Sequence, residues 1–334
     1  MPAWKRMHLI TSHFCLIGRL SLGLLTMSLL TVGSGSMAKV ITTTKNVEIG
    51  DNVVRVRSYE TKGLPILFVA LHDNKNTGIR AAHNAINAYG GRLIELRAIN
   101  QRWIPFNVGE RRVLFDPNWM FSVSGVKRSL RDYRVYSLKA CRMVTSFSRR
   151  IIEELDVDSF KVVVSLHNNT DGHFSILSYG RKGRYASQVR KLHISEHSDV
   201  DDFFLVTDIN MFRYIKMKNY NVVLVKKHVV AGDGSLMGYS VERDVDYLNI
   251  EAQHLHFSKQ REMINLVIGF YQIEANRDNE HIVKQIASDE VGQLSREMQD
   301  YNGSKSHIRN FDEDYVTASK PQAIPIDCDL EDRA

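Results

Sequence analysis

The sequence predicts an α/β fold, a mixed, mostly parallel sheet flanked by helices. Two apolar runs carry that prediction. Pro65 to Leu71 and Val162 to Leu166 are short, β-branched and bounded by polar turn residues, as strands buried on both faces are. The third observation is alternation along the chain, with runs of strand character separated by stretches of helical spacing.

The elements follow in order. Val40 to Tyr59 alternates loosely through Val47, Ile49, Val53, Val54 and Val56, as in a strand or hairpin near an edge. Ile79 to Tyr89 has helical spacing, and Gly90-Gly91 supplies a stop. Leu93 to Leu96 reads as a strand, and Arg111 to Phe115 as a short one ending at the Asp116-Pro117-Asn118 turn. Val126 to Leu155 carries one long helical pattern. Phe203 to Val206, Val222 to Val225 and Val245 to Ala252 are further strands. Phe257 to Ala275 is an amphipathic helix, with a second expected across His281 to Met298.

Composition bounds the function. The chain has 334 residues, 43% of them hydrophobic, enough for one large core. Lys5, Arg6 and Arg19 precede the apolar stretch Leu20 to Val32, and Ser36-Met37-Ala38 fits a small-residue cleavage site. Residues 1–38 are therefore expected to be a signal peptide, residues 39–300 the functional domain and residues 301–334 a polar, flexible tail. The expected destination is the periplasm or the exterior, with no stable membrane span once the signal is cleaved. The signal holds three cations and no acid, so its removal lowers the net charge from +6 to +3. No Lys/Arg run alternates with aromatics, which argues against nucleic acid as a partner. Cys141 and Cys328 could pair in an oxidising compartment.

The candidate chemistry starts where the two buried strands stop. His72 follows the first and His167 the second, each before an Asn/Asp-rich turn. Open α/β sheets place their sites beyond the carboxyl ends of their strands, and imidazole is a common zinc ligand. Glu251 interrupts an apolar strand, where a lone carboxylate is costly unless paired or functional. Arg111 could stabilise a developing oxyanion, and Asn118, on a turn, could bind a substrate carboxylate or amide. Ser165 lacks a Gly-x-Ser-x-Gly context, which argues against a serine hydrolase.

In that order, His72, Arg111, Asp116-Pro117-Asn118, His167 and Glu251 resemble the zinc carboxypeptidase superfamily, in its succinylglutamate desuccinylase/aspartoacylase-like branch. The resemblance runs from about Leu64 to Ile264. It implies a mostly parallel sheet flanked by helices, His72 and His167 as Zn2+ ligands, Glu251 as general base, Arg111 as carbonyl-polarising group and Asn118 as substrate-binding residue. Two positions depart from the pattern. Lys75 stands where the zinc-binding Glu belongs, and an ammonium repels a metal. Trp119 stands where the second carboxylate-gripping Arg belongs. Asp73 turning inward as a substitute ligand is one rescue, and deprotonation of Lys75 another.

Two functions follow from the resemblance. One is an exported zinc-dependent peptidase or amidohydrolase acting on a peptide or amide small molecule, peptidoglycan-derived peptides being one class. The other is a catalytically inactive carboxypeptidase-like binding protein that has lost its metal, with Lys75 pairing Glu251 in its place.

Overall fold

The structure is a computed structural model and describes residues 39–74 and 76–302, with side chains through 278 and at 280. The expected signal (1–38), Lys75 and the tail beyond 302, with Cys328, lie outside the described residues.

The strands are β1 (Ile41–Ile49), β2 (Asn52–Thr61), β3 (Ile66–Ala70), β4 (Gly91–Arg97), β5 (Ile104–Val108), β6 (Arg111–Phe115), β7 (Val162–Asn169), β8 (Val189–His193), β9 (Phe203–Val206), β10 (Val222–Val225) and β11 (Asp246–Gln253). The helices are α1 (Asn76–Tyr89), α2 (Val123–Asp132), α3 (Leu138–Leu155), α4 (Ile209–Met217), α5 (Lys227–Val230), α6 (Leu236–Glu242) and α7 (Phe257–Asn302). Among the described residues, nine strands form one sheet in the order β1-β2-β4-β3-β7-β11-β9-β10-β8, and β5 and β6 form a separate hairpin.

The fold is α/β with a mixed sheet flanked by helices, as the sequence predicts, but the sheet is not mostly parallel: four of its eight strand pairings are antiparallel. Parallel pairing is concentrated at the centre, where β4, β3, β7 and β11 run side by side. The β1–β2, β2–β4, β11–β9 and β10–β8 pairs are antiparallel. Burial explains the division. All of β3 and β7 is buried, whereas six consecutive residues of β1 are exposed.

Side-chain alternation sorts the strands onto two cores. One face packs Leu67, Val69, Val163, Phe203 and Tyr247 under α2, α3 and α6. The other packs Phe68, Val164, Phe204, Leu248 and Ile250 under α1, α4 and α7. Each buried aliphatic side chain of this size contributes roughly 2 kcal/mol of transfer free energy.

Two helical expectations are corrected. The pattern from Val126 to Leu155 is two helices, because Arg134 takes a left-handed φ of 57° and Ser137 then caps α3 by accepting the Ala140 N–H. The two helices expected after Phe257 are one, α7, which runs on to Asn302. The stop at Gly90 holds for a packing reason. Its φ is +79°, and a Cβ there would lie 2.5 Å from the Gly63 Cα.

Candidate functional site

The central strands deliver polar residues to one end and one face. β7 and β11 are parallel and in register, so Ser165 lies opposite Asn249 and His167 opposite Glu251. With a side-chain period of two, all four project toward the face that carries α2 and α3. His72 enters from the end of β3 and meets His167 edge to face, the ring centroids 5.3 Å apart. His72, His167 and Glu251 are buried, at 1%, 8% and 6% exposure.

Both rings are held through Nε2. His72 Nε2 lies 2.9 Å from Asp116 Oδ1, and His167 Nε2 lies 2.9 Å from Ser165 Oγ. Asp116 is placed by local sequence. Pro117 starts a single 3₁₀ turn, and Asp116 caps it by accepting the Asn118 N–H at 3.0 Å. The Asp116 N–H in turn donates to Ser129 Oγ on α2. Arg102 donates to Asp116 Oδ2 through Nε at 3.2 Å and Nη2 at 3.0 Å. Burial alone would raise the Asp116 pKa. The hydrogen bond and charge of His72, with the charge of Arg102, outweigh it and hold the carboxyl well below the usual carboxylate range.

The Ser165 side of the site has its own chain of contacts. Ser165 also bonds the Tyr247 hydroxyl, and burial, with Glu251 nearby, pushes that phenol up. Burial and Glu251 raise Tyr179 in the same way, which places an aromatic wall beside the carboxylate. Glu251 Oε1 accepts from Asn249 Nδ2 at 3.0 Å and lies 4.0 Å from His167 Nδ1. His167 thus stands between the Ser165 hydroxyl, which it meets within hydrogen-bond distance, and the Glu251 carboxylate, which it does not. Ser165, only 1% exposed, is out of a substrate's reach as a nucleophile.

Arg111 stands elsewhere, while Asn118 and Trp119 lie on the turn capped by Asp116. Arg111 is exposed at the far end of β6 and donates to the Arg134 carbonyl at 2.8 Å. At about 3.3 Å per strand residue, that is some 16 Å of chain before Asp116. The guanidinium linked to His72, through the shared Asp116 carboxylate, is that of Arg102. Asn118 is half-buried, with its N–H spent on Asp116. Trp119 is half-buried too, and the Arg128 guanidinium lies over its ring at 4.0 Å while donating to the Asp233 carbonyl at 2.5 Å. A cation thus stands beside position 119, but α2 supplies it.

Asp73 does not turn inward. Its Oδ2 accepts the N–H groups of Ala98 (3.0 Å) and Asn100 (2.6 Å), and its Oδ1 pairs with Arg97 at 2.9 Å. That carboxylate is committed to the 97–100 loop.

The donor set does not fit a catalytic zinc, which needs three protein ligands and an open position. His72 and His167 supply two imidazoles, and among the described residues no group of three His, Cys, Asp or Glu side chains could hold a metal.

Asp116 as a charged partner, Arg102, Ser165 as an anchor and Asn249 are the residues that the sequence reading missed. For Ser165 and Asn249 a signal exists: each precedes a site residue by two positions inside an otherwise apolar strand, which forces a shared face. Arg102 comes from an irregular segment and carries no such signal.

No family model and no curated protein matches the chain. Solved structures similar to it include a succinylglutamate desuccinylase/aspartoacylase from Rhodobacter sphaeroides, at 11% identity and a TM-score of 0.39, covering 70% of this chain and 66% of that one. An aspartoacylase family protein from Mesorhizobium loti is similar at 10% identity and 0.30, covering 69% and 67%. The cell shape determinant Csd4 from Helicobacter pylori, in a tripeptide-bound structure, is similar at 11% identity and 0.31. That match covers 63% of this chain and 50% of Csd4.

Proposed function

We propose that the chain is a carboxypeptidase-like protein that binds a peptide or an amide-bearing small molecule at the carboxyl ends of β3, β7 and β11, without a resident catalytic zinc. One observation carries this reading: the buried pair of histidines is held by protein partners, Asp116 and Ser165, with no third ligand among the described residues. Lys75, the sequence's substitute for a ligand carboxylate, points the same way. Arg102 and Arg128 flank the 116–119 segment and suit a ligand with a carboxylate, peptidoglycan-derived peptides being one such class.

A second reading, a zinc-dependent peptidase or amidohydrolase, is favoured by a different feature of the same bonds. A ligating histidine is held through its other ring nitrogen, as both rings are here, and Glu251 is a buried carboxylate suited to a base.

Metal analysis of the purified chain separates the two. The binding reading expects far less than one zinc per chain, unchanged by His72→Ala, together with saturable binding of acidic peptides that remain uncleaved. About one zinc per chain, lost on His72→Ala, with amide cleavage, overturns it in favour of the hydrolase. Zinc gained by Lys75→Glu marks the site as a decayed metal centre.

Export belongs to the same proposal, and the apolar stretch before Ala38 supports it. Amino-terminal sequencing of the cell-envelope fraction tests it, with Lys39 the expected first residue. Among the described residues no helix is long and apolar enough to cross a membrane.

A further inference from the structure

We propose that Asp201 and Asn169 hold a hard, oxygen-preferring cation, with calcium as the best match, where the end of β7 meets the segment before β9. Asp201 is 1% exposed. Its Oδ2 accepts the Gly172 N–H at 2.8 Å, while its buried Oδ1 has no hydrogen-bond donor. Asn169, 7% exposed, donates through Nδ2 to the carbonyls of Asp201 (2.6 Å) and Phe174 (2.9 Å). Those two acceptors fix the amide, since a flip would set oxygen against oxygen. Its buried Oδ1 is likewise without a donor. Two residues joined by a hydrogen bond thus each bury a bare oxygen.

The cationic groups nearby, His256 and Lys259, face Asp202 and not Asp201. Asp201 makes no ion pair among the described residues, and the carboxylate of Asp199 takes the Asp201 N–H at 2.9 Å. Neighbouring Asp202 is 4% exposed, and burial raises its pKa despite the Gln253 N–H and the charges of His256 and Lys259. A buried water can satisfy two acceptors, but it leaves a buried carboxylate's charge uncompensated. A hard cation supplies both, and calcium accepts carboxylate, amide and carbonyl oxygens in a flexible shell completed by water. Such a shell does not need three acidic side chains. The site would tie the loop after His167 to the strand beside Glu251, and it does not depend on the function proposed above.

Thermal unfolding of the full chain, stripped by chelation and titrated with calcium, magnesium or potassium chloride at constant ionic strength, tests the assignment. Calcium is expected to raise Tm saturably, Asp201→Asn to abolish the rise, and Asn169→Ala to weaken calcium about tenfold or more. If Asp201→Asn does not fold, calorimetric titration of calcium into wild type and Asn169→Ala decides. Absence of saturable calcium binding by wild type, or equal binding by the variants, overturns the proposal and leaves the two oxygens to ordered water.

Discussion

His72 and Asp116 form a buried pair, Nε2 to Oδ1 at 2.9 Å, that joins the end of β3 to the turn after β6 across 44 residues of sequence. Arg102 covers the other carboxylate oxygen, so the pair is one arm of a three-residue charge system. Removing one member of a buried pair strands the rest, at roughly 3 kcal/mol or more.

Asp116→Asn is therefore expected to lower the unfolding free energy by about 3 kcal/mol at pH 7, measured by urea denaturation. The pH dependence has a definite sign. A carboxyl held below its unfolded value of 3.8 contributes stability that is complete above that value and is lost as pH falls through the folded one. Wild type should lose stability below about pH 4 more steeply than Asp116→Asn. Equal slopes would refute the charge system.

Ser165→Ala should free the His167 ring without emptying the site. A lost buried hydrogen bond costs about 1–2 kcal/mol. The specific readout is NMR of the His167 ring nitrogens, whose tautomer should shift once Nε2 loses Oγ. An unchanged spectrum would mean that Ser165 only fills space.

Asp73→Ala removes the acceptor for two backbone N–H groups and Arg97, and is expected to destabilise by about 2–3 kcal/mol. Zinc content should not respond. A drop in bound zinc would return Asp73 to the list of ligands.

Asp246 makes the opposite pH prediction. Burial, with Asp208 nearby, raises it from 3.8 to about 6. The folded state then holds the proton more tightly than the unfolded chain, so stability falls as pH rises from about 4 through 6. Asp246→Asn should gain about 1–2 kcal/mol at pH 8, after allowance for partial exposure, and nothing at pH 4. Chemical denaturation at the two pH values checks it.

The parts of the site legible in the sequence are those that strands deliver. His72, His167 and Glu251 end or interrupt apolar runs, and the parallel register then brings them together. What long-range packing delivers was not legible. Arg111 and Arg102 have the same side chain, and only the path of the 98–110 segment decides which one reaches Asp116. Stacking of Arg128 on Trp119 likewise needs α2 folded back over the turn. The break between α2 and α3 escaped because periodicity continues through it, and a left-handed φ at Arg134 leaves no compositional mark.

The in-register pairing of Ser165 with Asn249 and His167 with Glu251 restricts what descent can do to this chain. Insertion of a single residue before either pair would turn one partner to the opposite face, so both strands are closed to length variation. Divergence among descendants should instead collect in the loops that leave them, where length changes cost little. In this chain, specificity can change quickly around a pair of strands that cannot.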